Sequence, residues 1–210
     1  MKLVSILVVL AIAAGVLFLI IWMGKPAGAV SMFLISPQGS RQVGDYSLRT
    51  GSFSARSDID ASALSIENIS SDFGLSDGSV ITVAPSGIVK RMGDDTAHDS
   101  LLVATPIAAL SKAPLAVWGE ATRLAWINPA DHSLQVFERN SRGTYLPIYL
   151  NNDFKVNSIG FTEDGSILVF TRLVVGKEEG SVTEVYAVNL NNSGVNHIDT
   201  IDGFATIIAP

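Results

Sequence analysis

The chain has 210 residues, 48% of them hydrophobic, and a formal net charge of −6 at pH 7. Its basic residues are scattered along the sequence, and no segment has the concentration of positive charge that a phosphate backbone requires, so nucleic acid is not expected as a partner. The absence of cysteine excludes disulfide bonds, thiolate metal sites and a cysteine nucleophile.

The first predicted element is an apolar helix from Leu3 to Met23, which contains no charged residue. At 1.5 Å per residue, such a helix roughly matches a hydrocarbon core of about 30 Å. Lys2 and Lys25 bracket it, and Trp22 lies where amphipathic rings prefer the membrane interface. The sequence therefore predicts a single-pass membrane anchor over residues 1–24.

A cleaved signal peptide is the alternative, because Ala27-Gly28-Ala29 has the small-x-small pattern that signal peptidase recognises. The apolar run exceeds the roughly 7 to 15 residues of a typical signal peptide, and Lys25-Pro26 interrupts the approach to this site. The uncleaved anchor is therefore favoured, with the following domain outside the cytoplasm. Cleavage near Ala29 would instead release a secreted or periplasmic protein.

A linker rich in Gly, Pro and Ala occupies residues 25–31, and residues 32–210 consist of short β-rich segments separated by turn-forming residues. The strongest strand predictions, rich in β-branched, aromatic and aliphatic residues, are 80–83, 124–127, 134–138, 167–171 and 182–189. Prolines and a lysine interrupt the apolar stretch 101–118, which predicts buried β structure with a connection rather than a second membrane span.

A weak internal repeat runs through the β-rich region. Residues 73–83 and 159–170 share a strand, an acidic-Gly turn and a second strand, and residues 117–126 place two apolar strands midway between them. A fainter copy over residues 34–40 puts a Ser-Pro turn about one period upstream.

The spacing of the repeat is regular, because Leu75, Trp118 and Phe161 are each 43 residues apart. A period of roughly 40 to 45 residues is typical of a four-stranded propeller blade. The spacing therefore predicts an all-β domain with β-propeller-like repeats. A β-sandwich with a similar number of strands is the alternative fold.

The best copies of the repeat are Phe161-Thr-Glu-Asp164-Gly165 and Val185-Tyr186-Ala-Val-Asn189-Leu190-Asn-Asn-Ser-Gly194. At these residues the chain resembles TolB-type or WD-like bacterial β-propeller repeats. The resemblance is good over residues 156–201, fair over 73–150 and poor before that. The resemblance implies about four blades, or part of a larger propeller completed by a longer chain or a second subunit.

Two sequence patterns suggest chemistry that their context does not support. Gly74-Leu75-Ser76-Asp77-Gly78 matches the G-x-S-x-G turn of a hydrolase serine, but that motif precedes a helix and residues 79–83 have strand character. The cluster of Asp94, Asp95, His98 and Asp99 lacks the spacing of a calcium-binding loop. A hairpin turn and a solvated loop are therefore predicted.

No catalytic, cofactor or metal site is assigned, since His132 and His197 have no identifiable acid–base partner nearby in the sequence. Asn68 and Asn191 begin glycosylation sequons. The charged hairpin at 175–180 inserts a longer loop, and loops on rigid scaffolds often carry binding, although a solvated hairpin tip is the favoured interpretation.

The leading functional prediction is a membrane-anchored, extracytoplasmic, non-catalytic binding or scaffold module for a protein or cell-envelope component. One alternative is an exported hydrolase with carboxylates converging near a propeller channel, for which Glu120, Asp131 and Glu163 are the candidates. The other is a subunit of a larger membrane-associated assembly.

Overall fold

The computed structural model describes residues 26–63, 72–93, 99–104, 114–128, 131, 133–151, 155–175 and 181–208. Over these ranges the chain forms sixteen β-strands and one short 3-10 helix, Ala61–Ala63. The strands make four antiparallel four-stranded sheets, which we number as blades 1 to 4.

Blade 1 contains, in spatial order, β16 (Phe204–Ile207), β1 (Ala29–Ile35), β2 (Arg41–Ser47) and β3 (Ser52–Ala55). Blade 2 contains β4 (Phe73–Gly74), β5 (Val80–Ala84), β6 (Gly87–Arg91) and β7 (Ser100–Ala104). Blade 3 contains β8 (Leu115–Trp118), β9 (Arg123–Ile127), β10 (Leu134–Arg139) and β11 (Tyr145–Asn151). Blade 4 contains β12 (Ser158–Phe161), β13 (Ile167–Val175), β14 (Ser181–Asn189) and β15 (Gly194–Asp202).

Each of the five strongest strand predictions is confirmed, as β5, β9, β10, β13 and β14. Their β-branched and aromatic side chains suit both faces of a blade that packs between two neighbours. In β13, for example, Leu168 and Phe170 face blade 3, whereas Ile167 and Val169 face blade 1. The predicted apolar stretch 101–118 contributes β7 and β8, and residues 105–113 lie outside the described part.

The first strands of the blades pack against one another in sequence, β4 against β8, β8 against β12, and β12 against β16. Three hydrophobic clusters fill the junctions between blades 2 and 3, 3 and 4, and 4 and 1. This radial arrangement of four separate sheets is that of a propeller, rather than the two face-packed sheets of a sandwich. Among the described residues, no such cluster joins blade 1 to blade 2.

The last strand completes the first blade, because β16 pairs with β1 from Met32↔Ile207 to Ile35↔Phe204. Buried polar contacts support the junction of blades 4 and 1. Thr183 Oγ1 donates a 2.9 Å hydrogen bond to the Gly203 carbonyl, and the Ile207 amide donates a 2.8 Å bond to Ser158 Oγ.

The 43-residue register is also confirmed, since Trp118 and Phe161 end β8 and β12 and Leu75 follows β4. The fainter copy at residues 34–40 has a different place in its blade. Its turn joins β1 to β2, the second and third strands of blade 1, because β16 supplies the first strand.

The propeller has two ends, which we name by their turns. The first-turn face carries the turns between the first and second strands, at residues 75–79, 119–122 and 162–166. The second-turn face carries the turns between the second and third strands, including residues 36–40, 85–86 and 128–133. Since β1 is antiparallel to β16, β1 begins at the first-turn face.

The predicted anchor from Leu3 to Met23 lies outside the described residues. Among the helices of the described part, none is long and apolar enough to cross a bilayer. The strand β1 begins at Ala29, within the predicted linker over residues 25–31.

Candidate functional site

A groove of about 450 Å³ lies on the outer side of blade 1, at the second-turn face. The β1–β2 turn and the start of β2 form one wall, with Arg41 and Gln42. The end of β3 and the segment leading into the 3-10 helix form the other, with Arg56 and Asp60. Ile59 contributes an apolar surface between these polar groups.

Two charged side chains around this groove, Arg56 and Asp60, form hydrogen bonds with neighbouring residues. Arg56 donates from Nη2 and Nε to the two carboxylate oxygens of Asp58, at 3.0 and 3.3 Å. This contact raises the pKa of Arg56 and lowers the pKa of Asp58. Asp60 Oδ1 accepts from the amide and hydroxyl of Ser62, at 2.9 and 2.6 Å, which lowers the pKa of Asp60. The groove therefore offers oriented groups of both charges, which suits a polar or zwitterionic partner.

A different cluster joins blades 3 and 4 at the first-turn face. Trp118, at the end of β8, donates a 2.8 Å hydrogen bond from Nε1 to the Glu163 carbonyl in the first turn of blade 4. The guanidinium of Arg123 lies 5.5 Å from the Trp118 ring centroid and binds both Glu138 and the Gly165 carbonyl. We name Trp118, Arg123, Glu138 and Gly165 the junction cluster.

Glycine is the one residue type that fits at position 165 of the junction cluster. Its backbone has φ +66°, and a Cβ atom there would overlap the Trp118 ring. Sequence patterns gave Trp118 and Gly165 as repeat positions in different blades, and no local signal indicates that they touch. Each member of the cluster is engaged with another blade or strand, which indicates a structural role.

The G-x-S-x-G match is an ordinary hairpin turn, as predicted. Gly74 ends β4, and β5 follows the turn where a nucleophile elbow requires a helix. Asp77 accepts from the amide and hydroxyl of Ser79 and from Lys90 Nζ, the last at 2.6 Å. These donors hold the pKa of Asp77 well below its usual range, with Lys90 the largest cause.

Of the predicted acidic cluster, Asp99 lies in the described part and pairs with Arg91, whose Nε and Nη2 donate at 3.0 and 2.9 Å. This pairing lowers the pKa of Asp99. Asp94, Asp95 and His98 lie outside the described residues. Within the ranges that the structure describes, no three His, Cys, Asp or Glu side chains come together as a metal site would require.

The two remaining histidines gave no prediction of chemistry. His197 is exposed on β15, where its ring packs edge-on against Tyr186 with centroids 5.1 Å apart, and its Nε2 lies 3.3 Å from Thr200 Oγ1. Tyr186 in turn stacks on Phe170. These are cross-strand contacts of blade 4. His132 lies outside the described residues.

The three carboxylates of the hydrolase alternative do not share one place. Glu120 and Glu163 lie in first turns, in blades 3 and 4, whereas Asp131 lies at the second-turn face and accepts from the Ser133 amide at 2.9 Å. All three residues are exposed. The fold is therefore inconsistent with a two-carboxylate site that pairs Asp131 with either glutamate, whereas Glu120 and Glu163 lie on the same face in neighbouring blades.

The predicted loop and sequon positions are only partly within the described chain. Val175 ends β13 and is 76% exposed, and residues 176–180 of the charged hairpin lie outside the description. Asn191 lies in the exposed turn between β14 and β15, where its amide donates to Asn189 Oδ1. Asn68 lies outside the described residues.

No protein-family model and no curated protein matches the chain. Among solved structures, a putative 6-phosphogluconolactonase from Bacteroides fragilis is similar at 12% identity, with 88% of this chain and 62% of that one covered and a TM-score of 0.41. TolB from Acinetobacter baumannii matches at 11% identity over 83% and 43%, with a TM-score of 0.41. The periplasmic gluconolactonase of Pseudomonas aeruginosa matches at 13% over 87% and 57%, with a TM-score of 0.40.

The chain spans between about two fifths and three fifths of the length of these structures. At such identities and TM-scores, the likeness adds nothing to the argument about function. The four sheets themselves define the class, an all-β protein with a four-bladed propeller-like fold. The resemblance of its repeats to TolB-type and WD-like propeller repeats is confirmed at the level of fold.

Proposed function

We propose that this chain is a membrane-anchored, extracytoplasmic propeller domain that binds a protein or cell-envelope component through the groove of blade 1. The observation that carries the proposal is the groove itself, with Arg41, Arg56 and Asp60 around an apolar wall. Polar groups with fixed orientation beside apolar surface are typical of a recognition site. The anchor rests on the apolar run from Leu3 to Met23.

The position of the predicted cleavage site supports an uncleaved anchor. The Leu48 amide donates a 3.0 Å hydrogen bond to the Gly28 carbonyl, and Ala29 pairs with Ser47 as the first residue of β1. Cleavage after Ala29 would remove the acceptor and shorten the strand. Because these residues take part in the fold of blade 1, their retention stabilises the domain.

Membrane anchoring is tested by fractionation of cells that express the full chain. We expect the protein to stay in the membrane pellet after alkaline extraction, and the propeller to be degraded by protease added outside the cytoplasmic membrane. A variant with Leu10→Arg and Val16→Arg, which places two charges in the apolar run, should leave the pellet. Recovery of the unmodified chain in the supernatant would contradict the anchor.

Binding through the groove is tested by site-specific photo-crosslinking in membranes of the native host. A photoreactive amino acid at Gln42, in the groove, should give a discrete adduct, and the same amino acid at Ser141, in a first-turn-face loop, should not. Arg56→Glu should abolish the Gln42 adduct because it reverses one wall charge. The matched reversal Arg142→Glu, away from the groove, should leave it intact. Equal loss in both variants, or no adduct at Gln42, would overturn the proposal.

A further inference from the structure

We propose that the first-turn face of the propeller lies against the membrane and that the groove on the second-turn face points away from it. This inference rests on the proposed anchor. It adds an orientation, which decides which surface a lipid headgroup layer covers and which surface a partner can reach.

The point where the described chain begins supports this orientation. Gly28 is fixed at the first-turn face, because its carbonyl accepts from the Leu48 amide and a Cβ atom added to it would overlap Thr162, in the first turn of blade 4. From Ala29 the strand β1 runs away from this face and reaches the second-turn face at Ile35. The segment from the predicted helix therefore enters the domain at the first-turn face.

The connecting segment is short compared with the domain. Four residues separate Met23, at the end of the predicted helix, from Gly28, and the five residue-to-residue steps span at most about 18 Å when fully extended. The strand β1, which crosses blade 1 from the first-turn face to the second-turn face, has seven residues, and seven residues of strand cover roughly 23 Å. A tether of this length can hold the first-turn face at the bilayer but cannot bring the second-turn face to it.

The charge of the first-turn face indicates what holds it there. Arg49 and Arg142 lie in its turns, as do Glu120 and Glu163, and Arg139 ends β10 at the same face. Because this face carries both signs, we expect its proximity to the bilayer to depend on the tether rather than on anionic lipid or low salt.

The orientation has a consequence for binding. The groove is lined by the β1–β2 turn and by the end of β3, both at the second-turn face. With the opposite face at the membrane, the groove opens toward the extracytoplasmic space. Its partner is then expected to be a soluble or peptidic component and not a lipid headgroup.

The orientation is testable because the chain contains no cysteine. Ser141→Cys places a fluorescent donor on the first-turn face, in the turn between β10 and β11, and Ser40→Cys places the same donor on the second-turn face. Both serines are exposed, so neither substitution disturbs the core. The full-length chain is reconstituted in phosphatidylcholine vesicles that contain an acceptor-labelled headgroup lipid, with Arg142→Cys and Gln38→Cys as second variants for each face.

We expect energy transfer at least twofold more efficient from position 141 than from position 40, with the difference unchanged by added salt or by phosphatidylglycerol. Ser141 lies in blade 3 and Ser40 in blade 1, the blade that receives the tether, so tethering alone does not favour position 141. Equal transfer, or stronger transfer from position 40, would overturn the orientation while leaving the anchor in place. Failure of the unlabelled chain to float with vesicles would overturn the proposed anchor and the orientation with it.

Discussion

The first turns of blades 2 and 4 have the same Asp-Gly-Ser sequence but different surroundings. In both, the aspartate caps the turn by accepting from the following serine amide, at 3.0 Å for Asp77 and 3.1 Å for Asp164. The glycines have similar left-handed backbones, with φ +79° at Gly78 and +66° at Gly165. A Cβ atom at Gly78 would meet nothing within 4 Å, whereas one at Gly165 would overlap Trp118.

This comparison separates two levels of structure. The local sequence determines the turn, since aspartate capping and a left-handed glycine recur wherever the pattern recurs. The neighbouring blade determines whether the turn is also a packing element. The first turn of blade 4 packs against Trp118 of blade 3. Between blade 2 and blade 1, in contrast, the described residues form no hydrophobic cluster.

Among the side-chain truncations, removal of the tryptophan should have the largest effect. Trp118→Ala deletes the ring over Gly165 and the hydrogen bond to Glu163, and we expect it to lower the free energy of unfolding by about 3 kcal/mol. Leu75→Ala, 43 residues upstream, should cost about half as much, because Leu75 makes no such contact across the junction. Urea unfolding of the full chain in detergent, followed by far-UV circular dichroism, measures both. Equal losses would contradict a special role for Trp118.

The guanidinium of the junction cluster should contribute less. Arg123→Ala removes hydrogen bonds to Glu138 and to the Gly165 carbonyl, and we expect a loss of about 1 to 2 kcal/mol. Arg142→Ala is the matched control, since Arg142 is exposed in a turn, and it should change stability by less than about 0.5 kcal/mol. The same urea unfolding measures the difference. An unchanged free energy of unfolding in Arg123→Ala would contradict a stabilising role for Arg123 at the junction.

The capping aspartates should make the domain sensitive to acid. Hydrogen bonds from Lys90 and from the hydroxyl and amide of Ser79 hold the pKa of Asp77 below its usual range, and the hydroxyls of Thr162 and Ser166 do the same for the pKa of Asp164. The stability that these carboxylates contribute is therefore fully present above an unfolded pKa of about 4 and is lost as pH falls through their lower folded values.

Asp77→Asn and Asp164→Asn keep a capping oxygen and remove the titration. We expect the double variant to lose less stability between pH 7 and pH 3 than the unmodified chain does, in thermal unfolding at each pH. The Asp77 contribution should also weaken in high salt, since Lys90 is its largest partner. Parallel pH profiles for the two proteins would contradict this account of the turns.

The first turn of blade 3 is equivalent to the first turns of blades 2 and 4 but has a different sequence. Gly119, Glu120 and Ala121 all have left-handed backbones there, with φ +53°, +47° and +61°. Glu120→Gly should raise the free energy of unfolding by about 0.5 kcal/mol, because a glycine adopts this conformation without strain. Glu163→Gly, 43 residues downstream and without positive φ, should lower it by a similar amount. Calorimetry measures both changes in the free energy of unfolding, and changes of the same sign in the two variants would contradict the backbone argument.

Strand positions and the blade period were predictable from the sequence, because alternating apolar residues and acidic-Gly turns are local signals. The period of the blades followed from the 43-residue spacing of Leu75, Trp118 and Phe161, whereas the number of blades stayed open between four and part of a larger propeller. The place of residues 34–40 within their blade could not be predicted, because the first strand of blade 1 is β16, which lies far from them in the sequence. Pairing between chain ends has no local sequence signal.

The groove was also beyond sequence analysis. Its walls come from residues 39–43 and 55–62, which lack any motif, and they face each other only because β2 pairs with β3. The contact between Trp118 and Gly165 is of the same kind, since it joins two blades. The charged hairpin at 175–180, for which a solvated tip is the favoured interpretation, stays untested because residues 176–180 lie outside the described part.

The most direct test of the central claim, that the neighbouring blade makes the first turn of blade 4 a packing element while the same local sequence in blade 2 does not, compares Gly165→Ala with Gly78→Ala. Both alanines meet the same left-handed backbone strain, which costs about 1 to 2 kcal/mol. Only the alanine at 165 must also displace Trp118, at about 1 to 3 kcal/mol more. We predict that the free energy of unfolding falls roughly twice as far for Gly165→Ala as for Gly78→Ala. Equal losses would show that the turns are independent of their neighbours and would contradict the account.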